Sequence, residues 1–119
     1  MSMGKLKEHH FKRYHTFKKY YESSKVEEAK ERHYKDFSFH LAAWTFISTL
    51  EQPEIIPRLI DYHTGFHNRL NISLSDLNTL QTKANSSFYR RKRKFLTTEI
   101  NFHIEALNFL DLHINVGES

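Results

Sequence analysis

Arg90-Arg91-Lys92-Arg93-Lys94 places five cations in a row, directly after Phe88 and Tyr89. Five successive helical positions turn through about 500°, so their head groups surround the axis and at least some project into solvent. Forked guanidinium groups pair two phosphate oxygens at once, and each cation set on a phosphate releases condensed counterions, so the chemistry of such a collar is polyanion binding. An exposed Tyr89 would add a face for an unpaired base. Lys12, Arg13, Lys18 and Lys19 repeat the theme near the N-terminus, around an aromatic stripe, and a basic amphipathic helix of that kind suits RNA, an anionic surface or an acidic groove. The competing structural assignment is a solvated helix surface, with the collar neutralised by Glu99 and Glu105 and the N-terminal lysines turned to water opposite core aromatics. In a eukaryotic or viral setting the collar also fits a nuclear import signal.

Nine histidines are the second chemical resource. His63 and His67 lie one helical turn apart and can chelate a divalent ion from one face, with Asp61 close by or with His40 or His103 supplied by another helix. The zincin pattern H-E-x-x-H is missing, because Thr64-Gly65-Phe66 separates the pair and provides no carboxylate. The H-x-x-x-E element of hemerythrin-type oxygen carriers is also absent. The structural assignment for His63 and His67 is that of partly buried packing residues, and no metal and no cofactor is expected. Arg58-Leu59-Ile60-Asp61-Tyr62-His63 has R-x4-H spacing, which resembles that of the small all-helical HEPN-type ribonucleases. That resemblance implies His63 as general acid or base and Arg58 as the group stabilising a pentavalent phosphate. Leu59 stands where the family commonly carries a polar residue.

Composition narrows the remaining classes. The chain has 119 residues and no cysteine, which removes disulfide scaffolds, thiol nucleophiles and cysteine zinc sites together. Three glycines cannot build a phosphate-cradling loop or a dinucleotide fingerprint. The net charge of +4 is unevenly spread: residues 83–98 hold six basic side chains and no acidic one, and residues 1–35 hold ten basic against five acidic. Acidic partners are therefore favoured. No apolar run approaches the roughly 20 residues that cross a bilayer, and the Lys- and His-rich start lacks the apolar stretch of a secretion signal, so the expectation is a cytoplasmic protein without membrane insertion, or a nuclear one if eukaryotic or viral.

The elements that must position these groups follow from where the chain is punctuated. Glycine and proline occur only at positions 4, 53, 57, 65 and 117, leaving two long arms free of both breakers. Leu6, Phe11, Tyr14, Phe17 and Tyr21 give a first amphipathic helix. Ser24 with Glu27 forms a capping-box pattern that would open a second helix through Val26, His33, Phe37, Leu41, Trp44 and Ile47. That helix carries a further stripe at Phe39, Ala43, Phe46 and Leu50. Pro53 and Pro57 suit the first turn of a third helix with Ile56, Ile60, His63, His67 and Leu70 on one face. Asn71 to Asp76 reads as a loop, with Ser73 capping a fourth helix through Leu77, Leu80, Ala84, Phe88 and Phe95. Leu96, Ile100, His103, Leu107, Leu110 and Ile114 then run close to heptad spacing, and the alternation of Leu110, Leu112, Ile114 and Val116 leaves a short strand as the alternative.

The expected fold is all-α, an antiparallel four- or five-helix bundle forming a single domain over 1–119. The expected function is non-catalytic: an accessory or regulatory nucleic-acid-binding protein with weak sequence selectivity, because phosphate contacts carry affinity and little sequence information. Its binding residues would be Arg90, Arg91, Lys92, Arg93, Lys94 and Tyr89, assisted by Lys12, Arg13, Lys18 and Lys19. The alternative is a protein-interaction or homo-oligomerisation module using the heptad-like face of the last helix, and the third reading is the HEPN-like ribonuclease.

Overall fold

The computed structural model describes residues 3–79 and 87–117, and the fold is all-α. Four α-helices follow in order: α1 Met3–Ser23, α2 Glu27–Thr49, α3 Ile56–Thr79 and α4 Ser87–Gly117, with one 3-10 turn at Pro53–Ile55 ahead of α3. No helix is long and apolar enough to cross a membrane among the described residues. The chain divides into two compact units, Met1–Ile55 and Ile56–Ser119.

In the first unit a three-residue link reverses the chain between α1 and α2. Ring contacts then climb one helix as they descend the other: Phe11 meets Trp44 at 5.9 Å, Tyr14 meets Phe37 at 6.0 Å and Tyr20 meets His33 at 5.5 Å. This is an antiparallel hairpin whose seam is largely aromatic. Leu6, His10, Tyr14, Phe17 and Tyr21 recur at steps of four and three on the inward face of α1. Phe11 does not belong to that set. It is 43% exposed, and the buried position beside it goes to His10, because a step of four from Leu6 reaches residue 10. In α2 the buried residues are His40, Ala43, Phe46 and Ile47, whereas Leu41, on the expected stripe, is exposed.

The capping box expected at Ser24 is not formed. The helix starts three residues later with Val26 as its N-cap and no side-chain cap, and the Ser24 hydroxyl instead donates to the Val26 carbonyl at 3.4 Å. Glu27 and Glu28 in the first turn supply the negative charge that the helix dipole favours there. At the other end Leu50 takes the left-handed conformation (φ 59°) and its N–H closes on the Phe46 carbonyl at 2.6 Å. Gln52 is also left-handed, at φ 62°.

Pro53 opens the 3-10 turn that closes the first unit, and in the second unit Pro57 lies in the first turn of α3, where a missing N–H costs nothing. The loop expected at Asn71 to Asp76 is helix instead. The reason is register: Leu59, His63, Phe66, Leu70, Leu74 and Leu77 keep steps of three and four straight through the polar stretch, and packing one continuous face outweighs the capping preference of Ser73. α3 therefore ends at Thr79, and Phe88 and Phe95 belong to the same helix as Leu96. Leu80 and Ala84 lie outside the described residues. α4 continues through Leu112, Ile114 and Val116, so the strand alternative is overturned, and the described residues form four α-helices, within the expected four or five. Leu96, Ile100, His103, Ala106 and Leu110 are its buried face.

Left-handed backbone costs a residue with a Cβ roughly 1–2 kcal/mol that glycine avoids. Gln52 is exposed, so Gln52→Gly sacrifices no burial and is expected to raise stability by about 0.5–1 kcal/mol, read as the shift in urea midpoint at constant m-value.

Candidate polyanion face and buried histidine pairs

The basic segment occupies the first turns of α4. At about 100° per residue, Arg90, Arg93 and Lys94 fall within a ~100° arc, and Thr97 lies inside the same arc. These four and Thr98 line one open depression of about 310 Å³. Arg90 and Lys94 are exposed and Arg93 is half-exposed, with its Nε donating to Asn78 Oδ1 of α3 at 3.2 Å. Lys92 points the other way and sits 5.7 Å from the centre of the Phe95 ring. Arg91 turns its Nε back to the Ser87 carbonyl at 3.4 Å. Among the described residues none of these five cations forms an ion pair with a carboxylate, in contrast to Lys12, which pairs with Glu8 at 2.8 Å, and Lys35, which pairs with Glu31 at 4.0 Å. The expected neutralisation by Glu99 or Glu105 is thus not formed within this set. Tyr89 is half-buried with its ring edge-on to Phe88, and Phe88, 63% exposed, is the ring that faces solvent.

The N-terminal basic group is already partly engaged. Lys12 holds Glu8, whose carboxyl is lowered below its usual range by that hydrogen bond and by the ammonium charge. Lys18 lies 5.7 Å from the Tyr14 ring centre, within cation–π range. Lys18 and Lys19 share a depression of about 370 Å³ with His15, Thr16 and Glu22, so an acidic side chain sits inside this patch. Arg13 is exposed, and its charge acts on His40.

The sequence motifs built on His63 separate. Its Nδ1 meets His103 Nδ1 at 2.8 Å and the side chain is fully buried, while His67, one turn on, approaches the Asn71 amide at 3.1 Å. Arg58 is exposed. Five helical residues place it about 140° around the axis from His63, so the R-x4-H pair does not converge on one substrate position.

Sequence reasoning missed the partner arrangement in the other hairpin. His10 Nδ1 meets His40 Nδ1, again at 2.8 Å and again buried. Each pair is covered by a phenylalanine ring lying nearly parallel to one imidazole: Phe17 on His40 at 5.7 Å and 2°, Phe66 on His103 at 5.3 Å and 6°. Phe17 also stacks on His33, and the Arg69 guanidinium sits 4.6 Å from the centre of the Phe66 ring. The ring centres within the pairs are 5.1 and 5.0 Å apart. An imidazole nitrogen lies roughly 1.15 Å from its ring centre, so these separations require the two Nδ1 atoms to meet almost head-on, the geometry of a linear N–H···N bond. One ring must then carry its proton on Nδ1 and the other on Nε2. The signal available in the sequence was His10 at the a/d-like position between Leu6 and Tyr14, a polar residue where the register demands burial.

Comparison with protein-family models, curated proteins and solved structures gives no match to this chain. Burial, assisted by the Arg13 charge, pushes the His40 imidazole down to about 4. The unfolded chain then binds the proton that the folded chain refuses, so stability is complete above pH 6.5 and declines as pH falls toward 4. A shift of this size corresponds to about 3 kcal/mol. Urea unfolding at pH 7 and pH 4 should differ by about that amount, and His40→Phe should lose much less on acidification.

Proposed function

We propose that this protein binds nucleic acid through the outward arc of α4, with Arg90, Arg93 and Lys94 as the phosphate-contacting residues and the Thr97 hydroxyl as a hydrogen-bond donor at its edge. The observation that carries the reading is the co-location of three cations on one helix face without a carboxylate partner among the described residues. Structural cations on helices are commonly met by an i,i+4 acid, as Lys12 and Lys35 are here. The α4 arc departs from that pattern, and its charge is left for an external anion. Arg91 and Lys92 extend the contact to the flanks, and Phe88 supplies a ring for an unpaired base in place of Tyr89.

Binding of this kind is weakly selective, because the cations read phosphates and phosphate contacts carry little sequence information. An accessory role for the complex follows from that lack of selectivity. The oligomerisation alternative draws less support: Leu96, Ile100 and Leu110, the face offered to a second chain, are buried within this one.

Fluorescence anisotropy with a labelled 20-nucleotide RNA and the matching DNA duplex tests the reading. On duplex DNA the log-log salt slope should be about −0.9 per phosphate neutralised, and the triple change Arg90→Ala, Arg93→Ala, Lys94→Ala should flatten it by 2 to 3. Lys35→Ala, already ion-paired, should leave the slope unchanged. Affinity independent of salt, or equal slopes for the triple variant and the wild type, would exclude this face.

A further inference from the structure

We infer that the nucleic acid held by α4 is single-stranded, with its phosphates on the cations and its bases stacked on Phe88 and Phe95. The inference rests on the nucleic-acid reading above and names the form of the ligand.

Phe88 and Phe95 are 63% and 55% exposed. Seven residues apart, they lie within about 20° of each other around the helix and about 10.5 Å apart along it, so the two rings form one stripe. Lys92 falls between them on the same side, 5.7 Å from the centre of the Phe95 ring. Arg91, exposed, lies about 40° from Phe95 on the stripe's other side and about 60° from Lys94, and so joins the rings to the cation arc. From Lys94 to Phe95 the surface passes from charge to ring over about 100°, which is about 10 Å on a helix roughly 10–12 Å across. That is the scale of one nucleotide, whose sugar holds the phosphate and the base apart. Residues 83–98 contain no acid, and Glu99, half-buried one turn beyond Phe95, ends the platform there.

A duplex has no use for the rings. It presents phosphates and groove edges, and its base faces are covered by neighbours about 3.4 Å away, so the cations alone would serve it. An unpaired strand offers a base face to each ring. Stacking of this kind tolerates any sequence, because every base has a π-face, and it therefore agrees with weakly selective binding. A lipid surface is served less well. Affinity for it grows with the apolar area inserted, and within residues 87–98 the exposed apolar side chains are these two rings, Leu96 being buried.

The test is fluorescence anisotropy on the full chain with a labelled 20-nucleotide single strand and with the duplex of the same sequence, at one salt concentration. The single strand should bind at least tenfold more tightly. Phe88→Ala with Phe95→Ala should weaken single-strand binding about fivefold or more per ring. Because both rings are exposed, the same variant should keep the wild-type urea midpoint, its duplex affinity and its salt slope. Phe88→Trp should retain the affinity, and its added indole emission should be quenched by the single strand and not by the duplex. Equal affinity for the two forms overturns the inference. So does undiminished single-strand binding by the double alanine variant when Arg90→Ala, Arg93→Ala, Lys94→Ala has lost it; in either case α4 remains a phosphate-binding face. The absence of salt-dependent binding to both forms removes the nucleic-acid reading and this inference with it. Capture of the wild type by phosphatidylserine-containing vesicles, lost in the double alanine variant, would assign the rings to a lipid surface and overturn the inference as well.

Discussion

A buried imidazole meeting a second imidazole head-on allows very little freedom. The two rings must hold opposite tautomers, their planes must share an axis, and neither can leave without stranding a polar nitrogen in a dry interior, at a cost of about 1–3 kcal/mol. Both hairpins of this protein are built around such a contact, and the residues nearby are arranged to suit it. Phenylalanine rings lie flat on one member of each pair, and leucine, isoleucine and alanine fill the adjoining turns. The position of the contact also pins the register of each hairpin, since sliding one helix by a turn would part the nitrogens by more than 5 Å. Directional polar contacts in an otherwise apolar seam are a recognised way of choosing one alignment among several of similar packing energy.

The contrast with the molecular surface is one of partner choice. Inside, histidine is satisfied by histidine, and an ionised group is avoided to the point that His40 resists protonation until the pH nears 4. Outside, charge is left unbalanced where α4 begins. A helix N-terminus is an unfavourable place for cations, because the aligned peptide dipoles already make it positive. Arg90, Arg91, Lys92, Arg93 and Lys94 crowd the first two turns of α4 all the same, with no acidic residue in the first turn to offset them. Such a concentration works against helix stability.

Helical class and the main breaks were readable from local chemistry. The absence of glycine and proline in both arms, the pair of prolines between them and the three-four spacing of apolar residues all report on the backbone of a single segment, and a helix is a local structure. The errors arose where two local signals competed. Ser73 with Asp76 looks like a capping box yet opens no helix, because a cap is worth about 1 kcal/mol and a continuous packed face through Leu70, Leu74 and Leu77 is worth more. Ser24 with Glu27 looks like another, yet α2 begins at Glu27 with Val26 as its N-cap.

For the sites, residue types could be read ahead of the structure and pairings could not. The run of five cations was visible as charge, and helical periodicity alone said they could not share one face. That periodicity also groups Arg90, Arg93 and Lys94 on one arc; that no described carboxylate would reach them depended on neighbours close in space and distant in sequence. His10 and His40 are 30 residues apart, and His63 and His103 are 40 apart. Periodicity can mark such residues as inward-facing, but a contact between two helices depends on the length of the turn joining them and on their relative rotation. Those quantities are set by packing across the whole seam, and for this reason the chain announces its helices residue by residue while its histidine pairs exist only once the hairpins have closed.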